Sequence, residues 1–222
     1  MLFDHPILVA GLTGLISGIL LSVPVGPVNL TILNEGARRG FRWALMIGLG
    51  ATAMEVIYCA VAFAGFSSLF GNRFVKAGME LFSFVFLLYL GVRLLIARKI
   101  VAHTKLEDRL EEKLHPHSAF MTGFVQVLGN LGVLLFWVIL AANFISRELV
   151  PANNPGKLAC VSGVAVGTAS WFFGLSYAVS LGHKRISEKT LLRMEHFSGI
   201  CLVLLALAHG LRIIWEMANH RL

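Results

Sequence analysis

Of the 222 residues, 57% are hydrophobic and 14% charged, where a soluble globular domain carries about 25% charged residues; this composition suits lipid as solvent and excludes a soluble fold. The net charge of +7 sits in short stretches between long apolar ones, a distribution that orients a membrane chain and argues against nucleic-acid binding. Cys59, Cys160 and Cys201 lie far apart in apolar stretches without a CxxC pair, so neither a disulfide framework nor a zinc site is expected, and they read as small buried hydrophobes.

A helical span needs roughly 20 apolar residues, and the ionisable residues mark out where such spans fit. Nothing ionisable separates His5 from Glu35, and Glu55 alone interrupts the run from Arg42 to Arg73, which predicts spans over 7–33 and 43–69. A third is predicted over 77–96, with Glu80 and Arg93 near enough to its ends for Arg93 to snorkel toward water. The fourth, 118–145, is free of charge; the fifth covers 158–181; the sixth runs over 191–214, with Glu195, His196 and Arg212 near its ends and His209 inside. Met1 to Pro6 lacks Lys and Arg, and the apolar stretch behind it is longer than the core of a signal peptide, so the first segment is expected to remain as a span.

The stretches after spans one, three and five hold 13 Lys and Arg against 6 on the opposite side, which predicts that both termini face away from the cytoplasm. The expected fold is an all-α polytopic membrane protein of six transmembrane helices, built as two inverted three-helix repeats with the first helix of each interrupted. The first repeat covers 1–97, a hydrophilic cytoplasmic linker 98–117, and the second repeat 118–222. Three spans per half is an odd number, so similarity between halves implies inverted topology. Gly18 precedes Pro24 by six residues as Gly123 precedes Gly129, and Gly50-Ala-Thr-Ala-Met-Glu55 aligns with Gly163-Val-Ala-Val-Gly-Thr168. Inverted repeats with interrupted first helices are a signature of secondary transporters.

Pro24-Val25-Gly26-Pro27, followed by Asn29, is the strongest local signal. Two prolines remove two backbone donors and clash with the preceding turn, so a continuous helix is not expected there. Freed carbonyls in hydrocarbon cost several kcal/mol each unless protein or water supplies partners, which turns the break toward the bundle interior. A plain proline kink is the simpler alternative, but a Pro-x-Gly-Pro beside an amide favours a midplane binding site. There, a half-helix N-terminus faces an anionic group and freed carbonyls hold a cation. Its counterpart is Gly129-Asn130-Leu131-Gly132, where a second break and glycine-mediated close packing both stay open.

Glu55 is the one carboxylate well inside a span. A lone charge at such depth costs from about 3 kcal/mol upward, so it is expected to be protonated, paired or beside water; it is the candidate carrier of a coupling proton or ligand of an ammonium group. Asn34 and Glu35 read as solvated helix-end residues. Trp171 is kept as a pocket wall and Tyr177 as packing. His209, without an identified carboxylate partner, is expected to be satisfied locally. The stretch 107–113 mixes both signs as a solvated helical loop does, and the spacing of His103, His115 and His117 matches no standard metal site.

At these positions the chain resembles the LysE/RhtB family of amino-acid exporters. The resemblance is carried by GLISGILLSVPVGPVNLTILNEGARRG (11–40), the glycine-spaced second span ending in Glu55, YLGVRLLIARK (89–99), GFVQVLGN and VGTASWFF. It implies six helices in two inverted repeats and proton-linked export of amino acids or small cations. The family's Pro-Gly-Pro matches Pro24, Gly26 and Pro27 with Val25 inserted, and its fourth-span Asn-Pro is here Asn130-Leu131; an acid near Glu55 is common among relatives. A redox protein of the CcdA type would need cysteines at the breaks, where Val25 and Asn130 stand, and no GxSxG, HExxH or paired intramembrane carboxylates point to a hydrolase. The expected activity is therefore non-enzymatic transport. Pro24, Gly26, Pro27, Asn29, Asn130 and Trp171 form the substrate site and Glu55 couples protons, without cofactor or bound metal. A cation or metal-ion exporter, or a channel, using the same breaks and Glu55 is the alternative, and a homodimer is compatible with the sequence.

Overall fold

The computed structural model describes residues 5–24, 26–66, 73–96, 118–181 and 188–218, and all regular structure among them is helical. The helices are α1 (Pro6–Ser22), α2 (Pro27–Arg39), α3 (Phe41–Phe66), α4 (Arg73–Leu95), α5 (Ala119–Leu128), α6 (Leu131–Ser146), α7 (Asn154–Ser180) and α8 (Glu188–Ala218). The linker 98–117 with His103, His115 and His117 lies outside the described residues, as do Val25, residues 67–69 and the side chains of Glu80, Glu195 and His209.

Local chemistry explains the helix ends. Pro6 and Pro27 open α1 and α2 at a first-turn position whose missing N–H has no intrahelical use. Gly40 closes α2 at φ +85°, a conformation an L side chain resists, and its N–H reaches the Gly36 carbonyl at 2.9 Å. Ser118, Asn130 and Asn153 cap α5, α6 and α7 by accepting the N–H groups of Met121, Val133 and Gly156. At the far end of α2, Arg38 and Arg39 answer the helix dipole. Arg39 Nε lies 2.9 Å from a Glu35 oxygen and its guanidinium 4.5 Å from the Trp43 ring centroid. Asn34 is exposed beside them, as a solvated helix-end residue would be, whereas Glu35 is mostly covered and ion-paired with Arg38 and Arg39.

Two helices, α3 over Phe41–Gly65 and α7, are by themselves long and apolar enough to cross a bilayer. The pairs α1/α2 and α5/α6 reach that length together, bent by 70° and 67° at their breaks. Length and composition thus support up to four of the six expected spans. α4 and α8 carry shorter apolar stretches, Phe84–Leu95 and Gly199–Trp215, because Arg73, Lys76 and Glu80 enter the start of one and Glu188, Lys189, Arg193 and Glu195 the start of the other. The exterior is apolar: Ile16, Val85, Tyr89, Leu158, Phe173, Leu204, Leu211 and Ile214 are each at least half exposed. A surface of this kind is stable facing lipid and sticky in water; the molecule is a multi-pass membrane protein.

Glycines decide how the helices meet. On α1, a Cβ at Gly14 would strike the Cys160 backbone and one at Gly18 would lie 2.7 Å from the Val164 carbonyl, while Gly163 and Gly167 of α7 are crowded in turn by Gly11 and Leu15. Gly50 of α3 lies on the Phe120 backbone, and Gly123 of α5 on Ile47 and Ala51. Such backbone-to-backbone contact is how helices gain packing where lipid gives no hydrophobic advantage. Rising numbers in both partners make α1 parallel to α7, and α3 runs parallel to α5 because the contact of Gly50 with Phe120 is followed further along both helices by the bond from the Tyr58 hydroxyl to the Leu128 carbonyl. Gly91 against Gly199 and Val203, with Gly210 against Phe84, makes α4 antiparallel to α8. The core between them holds Ile32, Ile47, Trp137, Val164 and Phe172.

Candidate functional site

The first break follows from its missing donors. Pro24 and Pro27 carry no N–H, and the Gly26 N–H turns to the Pro24 carbonyl at 2.9 Å, so the Ser22 carbonyl loses its helical partner. Asn29, buried at 4% exposure, supplies the replacement. Its Nδ2 donates to the Ser22 carbonyl at 2.8 Å and the Pro24 carbonyl at 2.7 Å, and its Oδ1 accepts from the indole Nε1 of Trp171 on α7 at 3.3 Å. Both amide hydrogens are thus committed to backbone, leaving Oδ1 with a second lone pair. A Cβ at Gly26 would meet nothing within 4 Å, so open space borders the break. Pro24, Gly26, Pro27, Asn29 and Trp171 therefore come together at one place.

The second break needs no proline. The N–H of Asn130 bonds to the Val127 carbonyl at 2.9 Å, a tightened final turn, while its Oδ1 accepts from the Val133 N–H at 3.3 Å and starts α6 in a new direction. The Leu128 carbonyl accepts the Tyr58 hydroxyl of α3 at 2.7 Å. Of the two readings left open for 129–132, a break is what is observed, and close packing of glycine operates earlier, at Gly123.

Glu55 is buried at 6% exposure on α3, and its Oε2 has no hydrogen-bond partner. Gln126 on α5, at 2% exposure, donates from Nε2 to the Thr31 hydroxyl of α2 at 2.9 Å, while its Oε1 is without a partner. Tyr177 is exposed and packs on Phe173 and Phe41, outside the site as expected. Among the described residues no group of three His, Cys, Asp or Glu could hold a metal ion.

Sequence reasoning missed Tyr58 and Gln126. For Tyr58 a signal existed: the alignment of Gly50 with Gly163 places Tyr58 opposite Trp171, each eight residues beyond its glycine. Each donates a polar hydrogen to the break carried by the other half of the chain. Tyr58→Phe and Trp171→Phe should each lower thermal stability in detergent by about 1–3 kcal/mol, since each leaves a buried acceptor orphaned, whereas Tyr177→Phe should change nothing measurable. Equal melting of all three variants and the wild type would contradict this bracing.

The family model for the LysE type translocator matches residues 19–211. A protein of Bacillus subtilis (strain 168) named "Putative amino acid efflux protein YcgF" is 28% identical over 206 residues, covering 93% of this chain and 97% of its own length. No solved structure matches the chain.

Proposed function

Because the chain belongs to the LysE type translocator family, we propose that it is a secondary transporter that exports an amino acid or similar small solute across the bacterial inner membrane in exchange for protons. Six spans, α1/α2, α3, α4, α5/α6, α7 and α8, form two inverted halves, 1–97 and 118–222, joined by 98–117, with both termini outside. The packing directions support this reading. Six alternating spans require the first and fifth to run parallel, the second and fourth to run parallel, and the third and sixth to oppose, as α1 and α7, α3 and α5, and α4 and α8 do.

The observation that carries the proposal is the pair of broken helices, each held by a side chain from the other half, around a buried acid without a hydrogen-bond partner on one oxygen. Lipid tolerates interrupted backbone only against protein or a wet cavity, and a buried acid in the same bundle gives that cavity a charge to move. Pro24, Gly26 and Pro27 shape the site. Asn29 holds the break in form and offers the remaining lone pair of Oδ1, Asn130 offers its amide hydrogens beside the N-terminus of α6 to a carboxylate, and Trp171 walls the pocket. Glu55 takes the proton. Rocking of the halves about the two breaks then exposes the site to each side in turn.

The test is uptake into proteoliposomes whose lumen is more acidic than the bath, run over the twenty L-amino acids and a set of divalent metals. Saturable uptake of one or a few amino acids, accelerated by the gradient, is expected; uptake of metals alone would replace this reading with a cation exporter, and no uptake of any amino acid would end it.

A further inference from the structure

Two buried acceptor oxygens without hydrogen-bond partners, Glu55 Oε2 and Gln126 Oε1, are carried by α3 and α5, which pack against each other. Gln126 is oriented by its neighbours: the Thr31 hydroxyl donates to the Pro27 carbonyl at 2.9 Å, so its oxygen can only accept. The Gln126 amide must therefore present Nε2 to Thr31, at 2.9 Å, leaving Oε1 as an acceptor enclosed in protein. The other orphan is Glu55 Oε2. The α3/α5 register sets them at similar height. Gly123 meets Ala51 below them and the Tyr58 hydroxyl meets the Leu128 carbonyl above; Glu55 lies between the first and last of these on α3, and Gln126 on α5. Residues 51, 55 and 58 share a helix face, as do 123 and 126. Thr31 brings α2 to the same junction.

Orphaned buried acceptors are rare, and each native instance asks for a donor. We infer that Gln126 Oε1 is an acceptor for the ammonium group of the transported solute, forming with Glu55 Oε2 a cradle where α2, α3 and α5 meet. The inference rests on the exporter reading above and adds to it the group recognised. Charge favours an ammonium ion over a metal. One carboxylate and one neutral carbonyl neutralise a single positive charge, whereas a divalent ion would keep an excess charge in a medium where unbalanced charge is costly. Hard divalent ions also prefer about six oxygens. An ammonium has three N–H donors, and two of them are met here. The proton and the ammonium then compete for Glu55, so that one leaves before the other binds, and Gln126 is what makes the second occupant an amine.

The experiment uses the full chain in proteoliposomes and the amino acid that the twenty-member panel shows to be transported, with its deaminated carboxylic acid and its decarboxylated amine as competitors. Gln126→Leu is expected to raise KM about tenfold to a hundredfold, the loss of a hydrogen bond to a charged group, with a smaller change in kcat, and to weaken competition by the amine while leaving that by the carboxylic acid unchanged. Gln126→Glu, which keeps an acceptor oxygen in place, should hold KM near wild type, and Thr31→Val should move it far less than Gln126→Leu. A wild-type KM in Gln126→Leu, or equal weakening of amine and acid competition, overturns the inference and leaves the exporter reading standing. Failure of the unmodified protein to move any amino acid overturns both. Should Gln126→Leu fold poorly, the near-isosteric Gln126→Met carries the same prediction.

Discussion

Protein carrying Glu55→Gln is expected to exchange solute across proteoliposome membranes while losing all response to an imposed pH gradient. Glutamine reproduces the shape of a protonated glutamic acid and cannot release the proton, so the variant is held in one of the two states that coupling alternates between. The side chain is 6% exposed and one oxygen is without a partner, so the substitution removes a group able to carry charge and leaves packing intact. Loss of the formal charge also weakens attraction for an ammonium group, so the exchange that remains should require higher solute concentrations. Glu55→Asp, which keeps a titratable group, should restore gradient-driven uptake in part. The measurement is the ratio of initial rates with and without the gradient; a ratio in Glu55→Gln equal to that of the wild type removes Glu55 from coupling.

The second large effect is structural and is expected at Gly123 and Gly50. A methyl group at Gly123 would enter the backbone of Ile47, and one at Gly50 the backbone of Phe120. Backbone cannot step aside as the end of a side chain can, so α3 and α5 must separate along their whole seam. Gly123→Ala is expected to destabilise by about 3 kcal/mol or more, at the upper end of what overpacking a core costs, and Gly123→Val to leave little monodisperse protein on size-exclusion chromatography. Gly65→Ala, where nothing lies within 4 Å of the new atom, is the control and should elute and melt as wild type does. Because the same seam carries Glu55, Gln126 and the Tyr58 bond to the Leu128 carbonyl, Gly123→Ala that still folds should also transport poorly. Wild-type melting of Gly123→Ala would show that the two helices can part without penalty and would undo the account of the packing.

Much of this arrangement is legible in the sequence, and the reasons differ from residue to residue. Pro24 and Pro27 announce the first break because a missing N–H is a property of the residue itself. Glu55 stands out because a carboxylate amid 29 uncharged neighbours between Arg42 and Arg73 needs an explanation wherever the helix goes. The second break has no such marker. It is made by the side chain of Asn130 restarting the helix and by Tyr58 arriving from 70 residues away, and neither is a local signal. Asn29 was legible as important and not in its geometry: its amide goes first to the carbonyls of Ser22 and Pro24, the acceptors the prolines themselves had stranded.

Composition and the spacing of charge were enough to determine that this chain lives in lipid, where its helices begin and end within a few residues, and that one helix must be interrupted. These follow from the solvent, which penalises every unpaired backbone group and every lone charge in the same way at every position. Which helix lies against which, that Trp171 and Tyr58 hold breaks in the opposite half of the chain, and that Gln126 faces inward with a free oxygen were decided by the tertiary structure alone. Contacts between residues tens to more than a hundred positions apart depend on helix register and on where glycine lets two backbones touch, and neither is a property of any single stretch of sequence.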